Sequence, residues 1–228
     1  MWCAGSLAAL AAVAGPLPER SHDSFPAHMT GHLLLGMLSP LLLVLSAPVT
    51  LALRALPVDA ARILVRVLVS SPARFVAHPV TALVSNAGGV WLLYTTPLLA
   101  LTHQEPLVHG LVHVHVLGSG YLLVAALIGV DPVRHRHGYR CRGAVLLASF
   151  AAHSTLAKYL YAHPPPGIPS GQAELASLLM YYGGDVVEVL IVVLFCRRWY
   201  AAGRAPGRAA RARSASGSEP APAPEQRV

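Results

Sequence analysis

The chain has 228 residues, 54% of them hydrophobic and only 12% charged, with a formal net charge of +7. A water-soluble domain of that composition would lack the polar surface to cover itself, so the composition excludes one and points to helices in lipid. The positive balance also fits a nucleic-acid surface, but no recognition motif or interleaved aromatic pattern accompanies it, and no nucleic-acid partner is expected.

Apolar stretches occupy residues 2–17, 32–56, 76–101, 107–130, 141–163 and 175–196. A helix needs roughly 20 apolar residues to cross a bilayer, so five stretches suffice and the first is marginal. The expected fold is therefore an all-α, polytopic transmembrane helical bundle of about six spans over residues 1–202. The first stretch, MWCAGSLAALAAVAGPL, has a cleavage-like Ala12-Val13-Ala14 but no positive n-region, so it reads as a retained helix over a signal peptide. Pro40, Pro48, Pro79, Pro97, Gly88, Gly89, Gly118 and Gly120 interrupt the runs, which spanning helices tolerate when neighbours satisfy the freed backbone. The GSG at 118–120 reads as close helix packing.

Arginine orients the spans. Arg54, Arg62, Arg66 and Arg74 follow the second; Arg134, Arg136, Arg140 and Arg142 follow the fourth; Arg197, Arg198, Arg204, Arg208, Arg211 and Arg213 follow the sixth. The alternate loops hold only Arg20, set against Glu19 and Asp23, and Lys158 at a helix edge. By the positive-inside rule, both termini are cytoplasmic in a multi-pass cell-membrane protein. From Gly203 the sequence is rich in Ala, Pro, Ser, Gly and Arg without periodicity, and residues 203–228 read as a disordered basic cytoplasmic tail.

Polar residues then collect in one leaflet. FPAHMTGHLLLGMLSP opens the second span, putting His28 and His32 four apart on one helix face at the outer boundary, with Met29 between them and Met37 beyond. His109 and His113 repeat the spacing at the start of the fourth span, and His115 points away, about 200° round the helix from His113. His153 falls in the outer half of the fifth span. In the sixth, Tyr181, Asp185 and Glu188 share a face. Ionisable groups inside a membrane are costly and by default mark a site. Taken singly, each also fits an interhelical hydrogen bond. His78, His135 and His137 read as interfacial or solvated residues of the inner side.

Imidazole and thioether suit copper, and also zinc or iron. Cys3, Cys141 and Cys196 map to inner helix ends, so neither an outer disulfide nor a paired-cysteine copper site is expected. Enzymatic chemistry is not expected. AHMTGHL has the spacing of a zinc-protease motif, but Met29 stands where the general base must be Glu. The chain has no nucleophile elbow or phosphate loop. Haem between paired histidines is disfavoured by the boundary position of His28.

HMTGHLLLGMLSPLLLVLSAPVTLALRALP, HPVTALVSNAGGVWLLYTTPL, HGLVHVHVLGSGYLLVAALIGVDP and LMYYGGDVVEVLIVVLFCRRWY resemble, in order, the cytochrome c oxidase assembly factor family CtaG in its actinobacterial form, from about Leu7 to Tyr200. The resemblance implies a polytopic factor that assembles the oxidase at the copper-insertion step, with oxidase subunits as partners. It places the family's opening pair on His28 and His32, its second histidine element on His109, His113 and His115, and its acidic element on Asp185. Three functions compete on the residues: transient copper holding by a metallochaperone, a copper or proton transporter, and a metal-free scaffold. A homo-oligomer stays open.

Overall fold

The computed structural model describes residues 1–21, 23–131 and 137–216, with side chains through Arg204, and these residues form helices and turns without a strand. His22, the loop residues Arg134, His135 and Arg136, and residues 217–228 lie outside the described residues.

α1 (Trp2–Val13) stops short of Gly15, whose φ of +98° precedes Pro16 at the start of α2 (Pro16–Ser21). The expected single helix over 2–17 is thus two. At 1.5 Å per residue α1 alone rises about 18 Å, less than the roughly 30 Å of a hydrocarbon core. Ser24 caps α3 (Phe25–Leu33) through its Oγ, which accepts from the Ala27 N–H at 3.4 Å, while Pro26 sits preorganised in the first turn. A π turn (Leu34–Leu38) leads into α4 (Ser39–Leu45). Pro40 has no N–H to offer the Gly36 carbonyl. The ladder widens just before it, and the Ser39 N–H bonds the Leu34 carbonyl five residues back.

The 25–45 helix ends at Ala47, held at φ 51° ahead of Pro48. The expected second span, 32–56, is therefore shifted toward the N-terminus. Beyond it, α5 (Pro48–Ala55), α6 (Val58–Leu68) and α7 (Ser71–Val76) are short, with no buried residue. α8 (Pro79–Thr95) starts on a His78 cap, whose Nδ1 accepts from the Val80 N–H at 3.2 Å, and breaks at Thr96-Pro97 before α9 (Leu98–Gln104). α10 (Pro106–Ile128) closes on Gly129 at φ 52°. α11 (Tyr139–Ala162) and α12 (Ser170–Ser216) complete the chain. α12 continues past Gly203, where the sequence suggests a disordered tail; alanine and arginine, frequent there, are strong helix formers.

Among the described residues, three helices are long and apolar enough to cross a membrane: Phe25–Leu45, Pro106–Ile128 and Ser170–Arg204. α11 has the length but carries Arg140, Arg142, His153 and Lys158. The protein is a helical membrane protein.

α10 and α12 run parallel to α3–α4, with Gly36 against Gly120 and Phe25 against Gln172, whereas α1 runs the other way. The buried Ser39 Oγ donates to the Gly5 carbonyl at 2.8 Å, and a Cβ at Gly5 would meet Leu43, while Ala12 clusters with Leu35; α1 therefore runs opposite to α3–α4. α10 packs on α8 and α4, and α12 on α11 and α3. One core, around Met29, Tyr94, Leu156 and Met180, fills the end that holds the histidines. A second, around Leu41, Leu127, Leu146 and Phe195, fills the end that holds the arginines. At that arginine end Arg142 is buried against the Tyr139 and Phe195 rings and donates to the Leu127 carbonyl. Arg198 donates to the Ile128 carbonyl at 3.2 Å and to that of Gly129. Two guanidinium groups thus cover the open carbonyls of α10.

Among the described glycines, the closest approach to another helix's backbone lies between the π turn and α10. A Cβ on Gly120 would fall 2.4 Å from the Gly36 carbonyl oxygen, which is backbone and cannot rotate away. Gly118, two residues earlier, faces open space. Gly120→Ala is expected to destabilise the protein by about 1–3 kcal/mol or more. Gly118→Ala is expected to be neutral or to stabilise by up to about 1 kcal/mol. Thermal unfolding of both variants in detergent checks this, and equal melting temperatures would remove the contact from the argument.

Candidate functional site: a histidine-lined cavity

At the histidine end the i,i+4 pairs of α3 and α10 border the same cavity. His28, His32, His109 and His113 line one cavity of about 40 Å³, closed by Ala12, Leu17, Leu35, Leu93 and Val116. That volume suits an ion with a water rather than an organic ligand. The His109 and His113 rings meet edge-on at 4.2 Å between centroids. The His113 side chain is buried against the backbone of His109, one turn earlier, and its Nδ1 makes no hydrogen bond of good geometry. Such an atom is a ready ligand, because binding would satisfy a group that the fold satisfies poorly.

His32 departs from its expected boundary position. The helix begins at Phe25, so His32 lies two turns inside and is 8% exposed. It also lines a second cavity, of about 60 Å³, deeper in the bundle with Met37, Asn86, Ser149, His153 and Glu188. There the His153 Nδ1 stands 3.1 Å from the Glu188 Oε1, and its Nε2 is buried without a partner. His28, His113 and His153 all lie close enough to His32 to act on it electrostatically. The His32 ring therefore forms part of the wall between the two cavities.

Other expected members lie elsewhere. Met29 is fully buried in the core and its Sδ accepts from the Tyr94 Oη at 3.8 Å; it lines neither cavity. His115 turns to α8, its Nε2 3.1 Å from the Ser85 carbonyl, as its angular position requires. Tyr181 and Glu188 both face α11, at different levels: the Lys158 ammonium sits 5.4 Å from the Tyr181 ring, while Glu188 meets His153. Half-buried Asp185, at the edge of that face, lines neither cavity.

Two contributors escape a reading by spacing alone. Tyr94 stands edge-on to Phe25, His28 and His32, at 6.2, 6.0 and 5.8 Å, and so fixes the α3 pair from the end of α8. His103, in the loop-like THQEP, comes within 6.1 Å of the His28 ring because α9 folds back after Pro97. A histidine in an outer connection was the available signal. Glycines provide the remaining fit. A Cβ on Gly184 would fall 2.3 Å from the His153 ring, and one on Gly89 would fall 2.3 Å from that of His115.

Among the described residues, no group of three His, Cys, Asp or Glu side chains stands ready to hold a metal ion. The four cavity imidazoles therefore form a loose donor set that must rotate to chelate, unlike a closed structural site.

Fold and cavity together define a helical membrane protein with a small imidazole-lined chamber near one end. The pattern of the cytochrome c oxidase caa3 assembly factor family (Caa3_CtaG) matches residues 1–202, and the chain belongs to that family. It is 38% identical over 137 residues to uncharacterised proteins of Mycobacterium bovis and Mycobacterium tuberculosis, a match covering 57% of this chain and 21% of each of theirs. An uncharacterised protein of Mycobacterium leprae is 32% identical over 160 residues, 67% of this chain and 24% of its own. The chain thus spans about a fifth to a quarter of the length of these relatives. No solved structure matches it.

Gly184→Ala is expected to push the His153 ring off Glu188 and to destabilise the protein by about 1–3 kcal/mol. Gly88→Ala, at an open position of α8, serves as the matched control. Unfolding in detergent reads both. A Gly184→Ala protein as stable as the control would mean that His153 has room to move and is not fixed by this glycine.

Proposed function

We propose that this protein is a multi-pass factor of the bacterial cell membrane that holds copper transiently at the histidine end and presents it to a cytochrome c oxidase subunit. Family membership supports the assembly role. The observation that carries the copper reading is the single small cavity lined by four imidazoles from two helices. An incomplete, mobile ligand shell favours ligand exchange over permanent retention, as a donor requires, and copper(I) is satisfied by two or three soft or imidazole ligands. Copper here is cargo.

The alternating arginines support six passes, α1–α2 and α8–α9 counting as broken ones, with both termini and the arginine end cytoplasmic. The cavity then opens toward the outer side, where an oxidase takes up copper. A transporter needs a polar route through the bundle, but beyond the second cavity the core turns apolar at Ile128, Leu146 and Phe195. That favours delivery at one face.

Topology is tested in a variant lacking Cys3, Cys141 and Cys196. Single cysteines at Gln104 and Gly171, both exposed at the histidine end, should react with an impermeant maleimide in intact cells. A cysteine at Gly138 should react only after permeabilisation. The reverse pattern would overturn the orientation.

The copper reading is tested with His28→Ala plus His109→Ala, which removes one ligand from each helix. Both residues are half-buried, so the cost in stability is expected to stay within about 1–2 kcal/mol. The purified variant should lose most of its bound copper, its cells should assemble copper-poor oxidase, and copper added to the medium should restore part of the activity. His163→Ala, an exposed ring stacked on Tyr159 outside the cavity, should behave as wild type. If the double variant is abundant and its oxidase is fully metallated at limiting copper, the protein acts as a scaffold and the histidines only join helices.

A further inference from the structure

Between α4 and α8 the chain leaves the bundle for about thirty residues. The first turn of α5 is tied to the end of α10: Asp131 accepts from the Val49 N–H at 3.4 Å, from the Thr50 N–H at 2.9 Å and from the Thr50 Oγ1 at 2.7 Å. After that tie, α6 packs substantially only on α5 and α7, its neighbours in sequence. Its apolar side chains are open: Val58 is 64% exposed, Ile63 59% and Val67 57%, and Phe75 of α7 reaches 69%.

The exposure is ordered. At about 100° per residue, Arg62, Asp59 and Arg66 fall within a narrow arc of α6, while Ile63, Val67, Leu64, Leu68 and Val65 cover roughly the opposite half. Asp59 is paired with Arg62 at 3.5 Å, which leaves the polar strip with a net positive charge. Arg54 on α5 and Arg74 on α7 add to it on either side. A wide apolar face with a basic strip is the pattern of a helix lying in a membrane interface, its apolar face among acyl chains and its guanidinium groups at the phosphates. The segment also leaves and rejoins the bundle at the arginine end, the level at which headgroups meet the helices.

We propose that α5–α7 form an in-plane collar bound to anionic phospholipid headgroups around the arginine end of the bundle, with α6 inserted apolar face down and Arg62 and Arg66 on lipid phosphate. The collar is independent of the copper reading. It adds a lipid-binding surface at the opposite end of the molecule from the histidine cavity.

The test uses the full chain without its native cysteines, reconstituted in phosphatidylcholine vesicles with or without about 30% phosphatidylglycerol. A polarity-sensitive fluorophore is placed at Ile63, Val67 or Asp59. With phosphatidylglycerol present, labels at Ile63 and Val67 should be quenched by brominated acyl chains and shielded from aqueous acrylamide, and the label at Asp59 should behave oppositely. Arg62→Gln with Arg66→Gln should cut the lipid quenching at Ile63 at least about twofold, as should salt of about 0.5 M. Equal quenching in neutral and anionic vesicles would remove the headgroup selectivity and overturn the proposal. So would free access of acrylamide to Ile63, or shielding that arises only when oxidase subunits are added, which would make the face a protein-docking surface. None of these readouts depends on copper.

Discussion

The approach of the Gly36 carbonyl to Gly120 is the constraint on which the site depends. Pro40 denies that carbonyl its helical donor, the π turn accommodates the break, and Gly120 alone leaves room for an oxygen where any side chain would collide. Once the two backbones meet there, the geometry above the contact follows. Gly36 lies one turn beyond His32 and Gly120 two turns beyond His113, so the two pairs overlap with an offset of about one turn, and His28 comes near the level of His113. Val116, between them, closes the cavity floor. A bulkier contact would separate α3 from α10, and four imidazoles would become two unrelated pairs.

The same closeness explains why His32 borders both cavities. Most spanning helices bury a polar side chain against a partner. Here the imidazole fills a partition between a chamber at the membrane boundary and a deeper one containing His153 and Glu188. Neither chamber exceeds the space of a few waters, so ring rotation rather than helix movement is the motion that connects them. Tyr94, standing edge-on to His28 and His32 and hydrogen-bonded to Met29, limits that rotation from one side.

The sequence made much of this legible, and the parts it hid have physical causes. Helical class and membrane character follow from composition, because lipid tolerates only a backbone satisfied within its own segment. The i,i+4 pairs at His28/His32 and His109/His113 were visible as faces, but which faces meet depends on where glycine permits contact, and periodicity does not encode a neighbour. Met29 illustrates the difference. It lies beside a candidate ligand in sequence yet about 100° round the helix from it, and so it enters the core. The boundary of the second span was misplaced at both ends: Ser24 starts the helix earlier than hydropathy suggests, and Ala47-Pro48 stops it sooner. The sequence of α5 stays apolar past that break, so an apolar count carries the span through it to residue 56. Tyr94 and His103 were missed because their roles arise from chain reversal at Pro97, which brings residues of another helix to the pair.

Arg142 and Arg198 carry one more implication. Basic residues at helix ends are read during membrane insertion as charge, with little regard to geometry. In the finished bundle these two are read as shape, because a planar fork reaches the last carbonyls of α10 and, for Arg142, lies against aromatic rings. Lysine would satisfy the first reader and fail the second. Biogenesis and folding thus impose different tests on the same side chain, and a chain inserted the right way round can still be left with a frayed central helix.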